Sequence, residues 1–290
     1  MADNFEGESF RLNRPVRQQT SVIFTSPHSG REYPPDFQAA SPLNTLALRS
    51  SEDAYVDKLF SRAPLFGAPL LCARAPRAYI DLNRGCDELD PAVVEGVVRG
   101  GHNPRISSGL GVIPRVVSGG RAIYAGKIPR EEAEARINSH WRPWHAALRD
   151  LVDTTHEDFG EAILIDCHSM PHEAIETHIR PGQPLPEVVL GDRFGAAASR
   201  DVVEQIEAVF RAAGFRVARN SPFAGAYIAQ TYGHPVSRKH VVQIEIDRSL
   251  YLDERKVEPL SSFSTFCLRM NRVVADIAQI GRRALPIAAE

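Results

Sequence analysis

The sequence predicts an α/β fold in three layers, with a mostly parallel sheet covered by helices on both faces. Three observations lead there. Nearly continuous apolar runs at SVIFTS (21–26), EAILIDCHS (161–169) and KHVVQIEID (239–247) have the length and composition of buried strands. Stretches of helical period lie between them. Strands that alternate with helices pair in parallel through crossover connections.

Taken in order, residues 1–20 are polar and aperiodic, an arm laid on the surface, and residues 21–290 form a single α/β domain. The first strand, 21–26, ends in the turn PHSG. In EDAYVDKLF (52–60), Tyr55, Val56, Leu59 and Phe60 fall at helical spacing, so a helix is expected to begin near Glu52. Two short strands follow, APLLCAR (68–74) and RAYIDL (77–82), joined by an Ala-Pro turn. The stretch from 85 to 120 is rich in Gly, Pro and Ser. Loops longer than about 15 residues are uncommon in compact domains without a functional reason, so this one reads as a lid or pocket wall. Beyond Pro129 a long amphipathic helix carries acids in its first turn, with a kink expected at Pro143. A helix over 194–215 stops at Gly214, and 261–284 is the last helix.

With 43% hydrophobic and 24% charged residues, the chain has ordinary globular composition. Its net charge of −2 provides no positive field for nucleic acid or anionic membrane, which favours a small-molecule or protein partner. The N-terminal residues MADNFEGESFRLNRP lack the positive charge and apolar core of a signal peptide, and no segment approaches the roughly 18 apolar residues of a membrane span. A cytoplasmic location is therefore expected. Cys72, Cys86, Cys167 and Cys267 form no CxxC pair and are expected to be reduced and mostly buried. Nothing in the pattern signals an oligomeric state.

In open α/β sheets, ligands bind beyond the carboxyl ends of strands, so polar groups that end apolar runs are informative. Such groups are His28 after SVIFTS, Asp81-Leu82-Asn83-Arg84 after RAYI, His168 after AILIDC, and Glu245 within VVQIEID. Strand alternation puts Asp166 and His168 on one face and Cys167 on the other, which disfavours a Cys-His nucleophile pair. It also sets Gln243, Glu245 and Asp247 in one row against Val242, Ile244 and Ile246, so one face of that strand should line a wet cavity.

A catalytic zinc takes three protein ligands and keeps one position open. His28, His168 and one acid of the Glu52-Asp53 pair would supply that set. Each group has a plainer alternative. A single histidine is commonly a surface or hydrogen-bonded core residue, and paired acids suit the first turn of a helix. Arg84 fits either a bidentate grip on a substrate carboxylate or an ordinary ion pair. Glu245, an acid in an apolar strand, has either a strongly shifted pKa or a buried cationic partner. HEAIETH (172–178) fails as a zincin HExxH because Glu176 stands where the second histidine is needed, and neither GxSxG nor GxxxxGK[ST] occurs.

Assembled, these pieces resemble the N-formylglutamate amidohydrolase family, part of the zinc carboxypeptidase-like and aspartoacylase-like hydrolases. The matching stretches are PHSG (27–30), the acid at 52–53, YIDLNR (79–84), DCHS (166–169), GAYIAQTYG (225–233) and VVQIEIDRSLY (241–251), in family order over most of the chain. The resemblance implies a zinc carboxypeptidase-like fold with a mixed central sheet. It also implies one Zn2+ per chain held by His28, Asp53 and His168, with Glu52 as the alternative to Asp53. Glu245 would match the general base. Arg84, with Asn83, would bind the substrate α-carboxylate or polarise its carbonyl, and Arg115 and Tyr227 would stand in the pocket wall. The implied reaction is hydrolysis of N-formyl-L-glutamate. A different N-acyl amino acid or a short peptide is the alternative substrate, and a non-catalytic binding protein that keeps the fold is the alternative to an enzyme. At one place the chain departs from the pattern: PFAGAYIAQTYG (222–233) carries no basic residue beside its Gly-Tyr core.

Overall fold

A computed structural model describes residues 5–7, 9–98, 101, 103–177 and 184–282. Its frame is an eight-stranded sheet. The strands are β1 (Phe5–Glu6), β2 (Phe10–Asn13), β3 (Val22–Ser26), β4 (Leu70–Ala73), β5 (Ala162–Met170), β6 (Val188–Gly191), β7 (Val217–Arg219) and β8 (Lys239–Asp247), ordered β1-β2-β4-β3-β5-β8-β6-β7. The central strands β4, β3, β5 and β8 are parallel, whereas β2 and β6 run antiparallel to their neighbours β4 and β8. The sheet is thus mostly parallel and mixed.

The central strands are buried on both faces, which is why they read as nearly unbroken apolar runs. On one face Phe24, Ile165, Cys167, Val242 and Ile244 pack with α1 (Val56–Leu59), α3 (Arg200–Ala212) and α5 (Phe263–Ile280). On the other, Ile23, Leu71, Leu164 and Val241 meet α2 (Arg142–Phe159) and α4 (Tyr227–Tyr232) through residues such as Trp144, Leu148 and Ile228. Cys72 and Cys167 are buried, Cys86 and Cys267 half-buried, and all four are free thiols.

Several boundaries differ from the sequence expectation. The stretch 10–13 is not part of a surface arm: Phe10 and Leu12 are buried, and the strand pairs with β4, while residues 1–4 and 8 lie outside the described set. Residues 77–82 are not a strand. Pro76 accepts from the amides of Tyr79 and Ile80, closing a turn whose buried Ala78, Ile80 and Leu82 imitate strand alternation. Helix α1 begins only after Tyr55, which adopts a left-handed conformation (φ 65°) and detaches the Glu52-Asp53 pair from the helix start. The helix expected over 194–215 is confined to Arg200–Ala212, with Gly214 left-handed beyond it. Positions 283–284 of the last predicted helix lie outside the described residues. Before Pro143, which has no amide hydrogen to donate, the backbone widens into a π turn over Ile137–Trp141 instead of simply kinking.

Candidate metal centre

Three chain segments converge at the carboxyl edge of the sheet. The first leaves β3 through the turn that carries His28. Gly30 lies so close to the end of β4 that a Cβ there would stand 2.1 Å from the carbonyl oxygen of Ala75, so only glycine lets this turn settle. The amide of Asp53 donates to the carbonyl of His28 (3.0 Å), which draws the second segment alongside. The third is the parallel pair β5 and β8, whose register sets Asp166 beside Gln243 and His168 beside Glu245.

Among the described residues, His28, Asp53 and His168 form a buried group with the spacing of metal ligands, their donor atoms all within 4.8 Å of one another. Asp53 Oδ2 is 3.3 Å from His28 Nδ1 and 2.9 Å from His168 Nδ1. Each imidazole is braced from behind. Asp81 Oδ1 stands 2.7 Å from His28 Nε2, and Asp166 Oδ2 stands 3.0 Å from His168 Nε2. Carboxylates in that position fix the tautomer and orientation of metal-ligating histidines. Arg248 Nη2 donates to the other oxygen of Asp53 (2.8 Å) and to the carbonyl of Ser169 (3.2 Å).

A divalent cation fits this arrangement. His28 Nδ1 is buried without a hydrogen-bond partner, and two nitrogens plus one carboxylate oxygen make a donor set that zinc accepts. The local charge agrees. Burial opposes ionisation of Asp53, yet the hydrogen bond with His168 and the proximity of both imidazoles hold its carboxyl well below the usual range. Burial likewise opposes protonation of His168, but Asp166, Asp53 and Glu245 push it well above its ordinary value. The carboxylates that surround the two imidazoles thus favour a positive charge at this point.

Glu245 faces the same space. Burial first, then the charge of Asp53, push its carboxyl up to about 7 against the pull of His168, Arg77 and Arg248. Gln243 Nε2 donates to its Oε1 (2.7 Å), and Gln243 Oε1 in turn accepts from the amide of Ala226. Asn83 bridges the parts. Its Nδ2 lies 3.3 Å from Asp166 Oδ2 and 3.2 Å from His168 Nε2, while its Oδ1 accepts from Ile228 N at the start of α4.

These groups open into a cavity of about 550 Å³. His28, Asp53, Asn83, Arg84, His168 and Glu245 all line it. Glu52 does not join them: it turns to the Tyr33 hydroxyl (2.7 Å) and Arg49 (3.2 Å). Arg115 lies in a separate depression, ion-paired with Asp90 (2.9 Å). Tyr227 packs beside Trp141 and His145, outside the cavity lining. The 85–120 stretch does form a wall, through Arg105, Leu110, Pro114, Val116, Val117 and Ser118. Sequence reasoning had not assigned roles to Arg77, Arg105, Arg248, Asp81, Asp166 or Gln243. Strand alternation already placed Asp166 with His168 and Gln243 with Glu245, so those two were within reach; Arg105 carries no local signal.

Fold and cluster together define a three-layer α/β protein with a buried histidine–carboxylate group that could hold a metal ion. The chain belongs to the N-formylglutamate amidohydrolase family, whose model matches residues 20–252. It is similar to the crystal structure of N-formylglutamate amidohydrolase from Ralstonia eutropha JMP134, with a TM-score of 0.88 and 36% identity over 96% of this chain and 99% of that one. It is also similar to the N-formylglutamate deformylases of Pseudomonas aeruginosa (29% identity, 82% of this chain and 85% of the relative) and Pseudomonas putida (31%, 70% and 71%).

Proposed function

We propose that the chain hydrolyses N-formyl-L-glutamate to formate and L-glutamate, with residues 21–290 acting as one hydrolytic domain in the cytoplasm and without nucleic-acid or membrane partners. The observation that carries this reading is the His28–Asp53–His168 cluster with Glu245 in register beside His168. Family membership and the names of the similar proteins support the substrate.

Zinc held by His28, Asp53 and His168 would supply Lewis acidity, polarising the formyl carbonyl and lowering the pKa of water toward neutrality. Glu245, buried and near neutrality in its titration, takes the proton of the attacking water. The same carboxyl then delivers that proton to the amide nitrogen as the C–N bond breaks, leaving formate and the free amine. Asn83 and Arg84 orient the substrate through its α-carboxylate, and the guanidinium adds positive charge near the developing oxyanion. Asp81 and Asp166 hold the two imidazoles in place throughout.

The test is a substrate panel on zinc-replete protein: formylglutamate, formylaspartate, acetylated analogues and dipeptides. Formate release fastest from formylglutamate is the expected result. A cavity of this size also suits larger N-acyl amino acids, since pockets of ~300–1,000 Å³ hold drug-sized ligands. Faster turnover of the acetylated compounds or dipeptides would favour that second reading. Substoichiometric metal with no hydrolysis at all would leave a binding protein.

A further inference from the structure

Among the described residues, four arginines line the cavity: Arg77, Arg84, Arg105 and Arg248. Three are engaged. Arg77 Nε pairs with Asp81 (3.0 Å), and Arg248 holds Asp53, Ser169 and the carbonyl of Ser50. Arg84 spends Nε on the carbonyl of Leu110 (2.8 Å) and Nη1 on that of Asn83 (2.7 Å), so its charge meets no carboxylate directly. The fourth, Arg105, sits on the one-turn helix Pro104–Ser107, and its guanidinium makes no hydrogen bond or ion pair among the described residues.

We propose that Arg105 grips the side-chain carboxylate of the substrate and so makes this enzyme selective for acidic over neutral N-acyl amino acids. The inference rests on the hydrolase reading above and names the specificity determinant of that site.

Position decides which cation serves which carboxylate. Arg84 follows Asn83, whose amide reaches His168, so Arg84 belongs to the inner end of the cavity. The α-carboxylate is one carbon from the scissile nitrogen and must bind there. The γ-carboxylate is three carbons out and needs a second cation, and Arg105, on the wall formed by residues 104–118, is the lining arginine left without a partner among the described residues. Burial first, and then the charges of Arg77 and Arg105, draw the Arg84 pKa down against the opposing pull of Asp81 and Glu88. The two guanidinium groups thus feel each other's charge, with the Arg84 Nε on the carbonyl of Leu110 and the Leu110 amide on the carbonyl of Arg105, and anions bound beside them relieve that repulsion. Leu110, Val116 and Val117 of the same stretch provide apolar surface suited to the methylene groups between the two carboxylates. Arg105 also supplies the positive charge absent from 222–233.

The test compares wild type, Arg105→Gln and Arg105→Lys, zinc-loaded, on N-formyl-L-glutamate and its neutral isostere N-formyl-L-glutamine. Losing a charge-assisted grip should lower kcat/KM for formylglutamate about 10- to 100-fold, mainly through KM. Turnover of formylglutamine and the melting temperature should stay unchanged, and Arg105→Lys should recover part of the loss. Equal losses on both substrates, or an unchanged ratio, overturn the proposal while leaving the hydrolase reading intact. Should wild type release no formate, that reading fails instead, and calorimetry with L-glutamate and L-glutamine still reports on the residue. Preference for glutamate that vanishes in Arg105→Gln upholds the grip; equal affinities in wild type overturn it.

Discussion

A carboxyl group that is buried beside another negative charge holds its proton to higher pH, and Glu245, the proposed base, shows the consequence. It must be ionised to accept a proton, and with His168, Arg77 and Arg248 beside it but no metal ion its pKa is pushed up to about 7. A dication nearby lowers that value, so kcat/KM should rise with pH along an acid limb whose midpoint falls at or below about 7. A pH–rate profile checks this, and Glu245→Gln should abolish the limb. That variant should keep its zinc and lose about 100- to 10,000-fold in turnover; a change of only a few-fold with zinc retained would remove Glu245 from the mechanism. His145 behaves in the opposite sense. It is buried between the Leu82 carbonyl and the Tyr232 hydroxyl, both 2.9 Å away, and burial holds its imidazole down to about 3 from an ordinary 6.5. The unfolded chain takes up this proton near 6.5 while the folded one refuses it, so stability falls as pH drops from about 6.5 toward 3, by at most about 1.4 kcal/mol per unit. Urea unfolding at several pH values should show a shallower acid slope in His145→Gln.

At the scale of elements, the site depends on turns that admit little substitution. Gly30→Ala would drive a methyl group into the Arg74–Ala75 backbone, shifting the turn that carries His28. Overpacking of this kind costs about 1–3 kcal/mol, so the variant should melt earlier and bind zinc more weakly than wild type, and an unaltered zinc affinity would mean the turn is not coupled to the centre. These same elements explain what could be read in advance. Strands β3, β5 and β8 were legible because burial on both faces leaves an apolar run that only a site residue interrupts, and that interruption marked His28, His168 and Glu245. Strands β6 and β7 are four and three residues long and carry too little pattern to register. Residues 77–82 were misread because burial against a helix leaves the same alternation as burial in a sheet. The placement of Glu52 away from the centre, and of Arg115 and Tyr227 outside the cavity, depends on where turns send side chains, and spacing along a chain does not encode that.

At the scale of the whole molecule, folding gathers Asp53, Asp81, Asp166 and Glu245 into one buried region with two imidazoles and the guanidinium groups of Arg77 and Arg248. A cation bound only by the native state stabilises it by about 2.7 kcal/mol at a hundredfold excess over Kd. Chelation should therefore lower Tm by about 5 °C or more, with recovery on adding zinc; thermal scans with and without chelator read this directly, and identical curves would deny the site its cation. The wall built from residues 104–118 has a wider meaning. The proposed reactive groups are anchored to strand ends that cannot shift without unravelling the core, whereas the proposed substrate choice rests on the Pro104–Ser107 turn, the part of that excursion with no buried residue, held in place by the core residues Val112, Ile113 and Val117. Natural or laboratory variation in that excursion alone could redirect the same bond-breaking apparatus to new amides, one loop at a time.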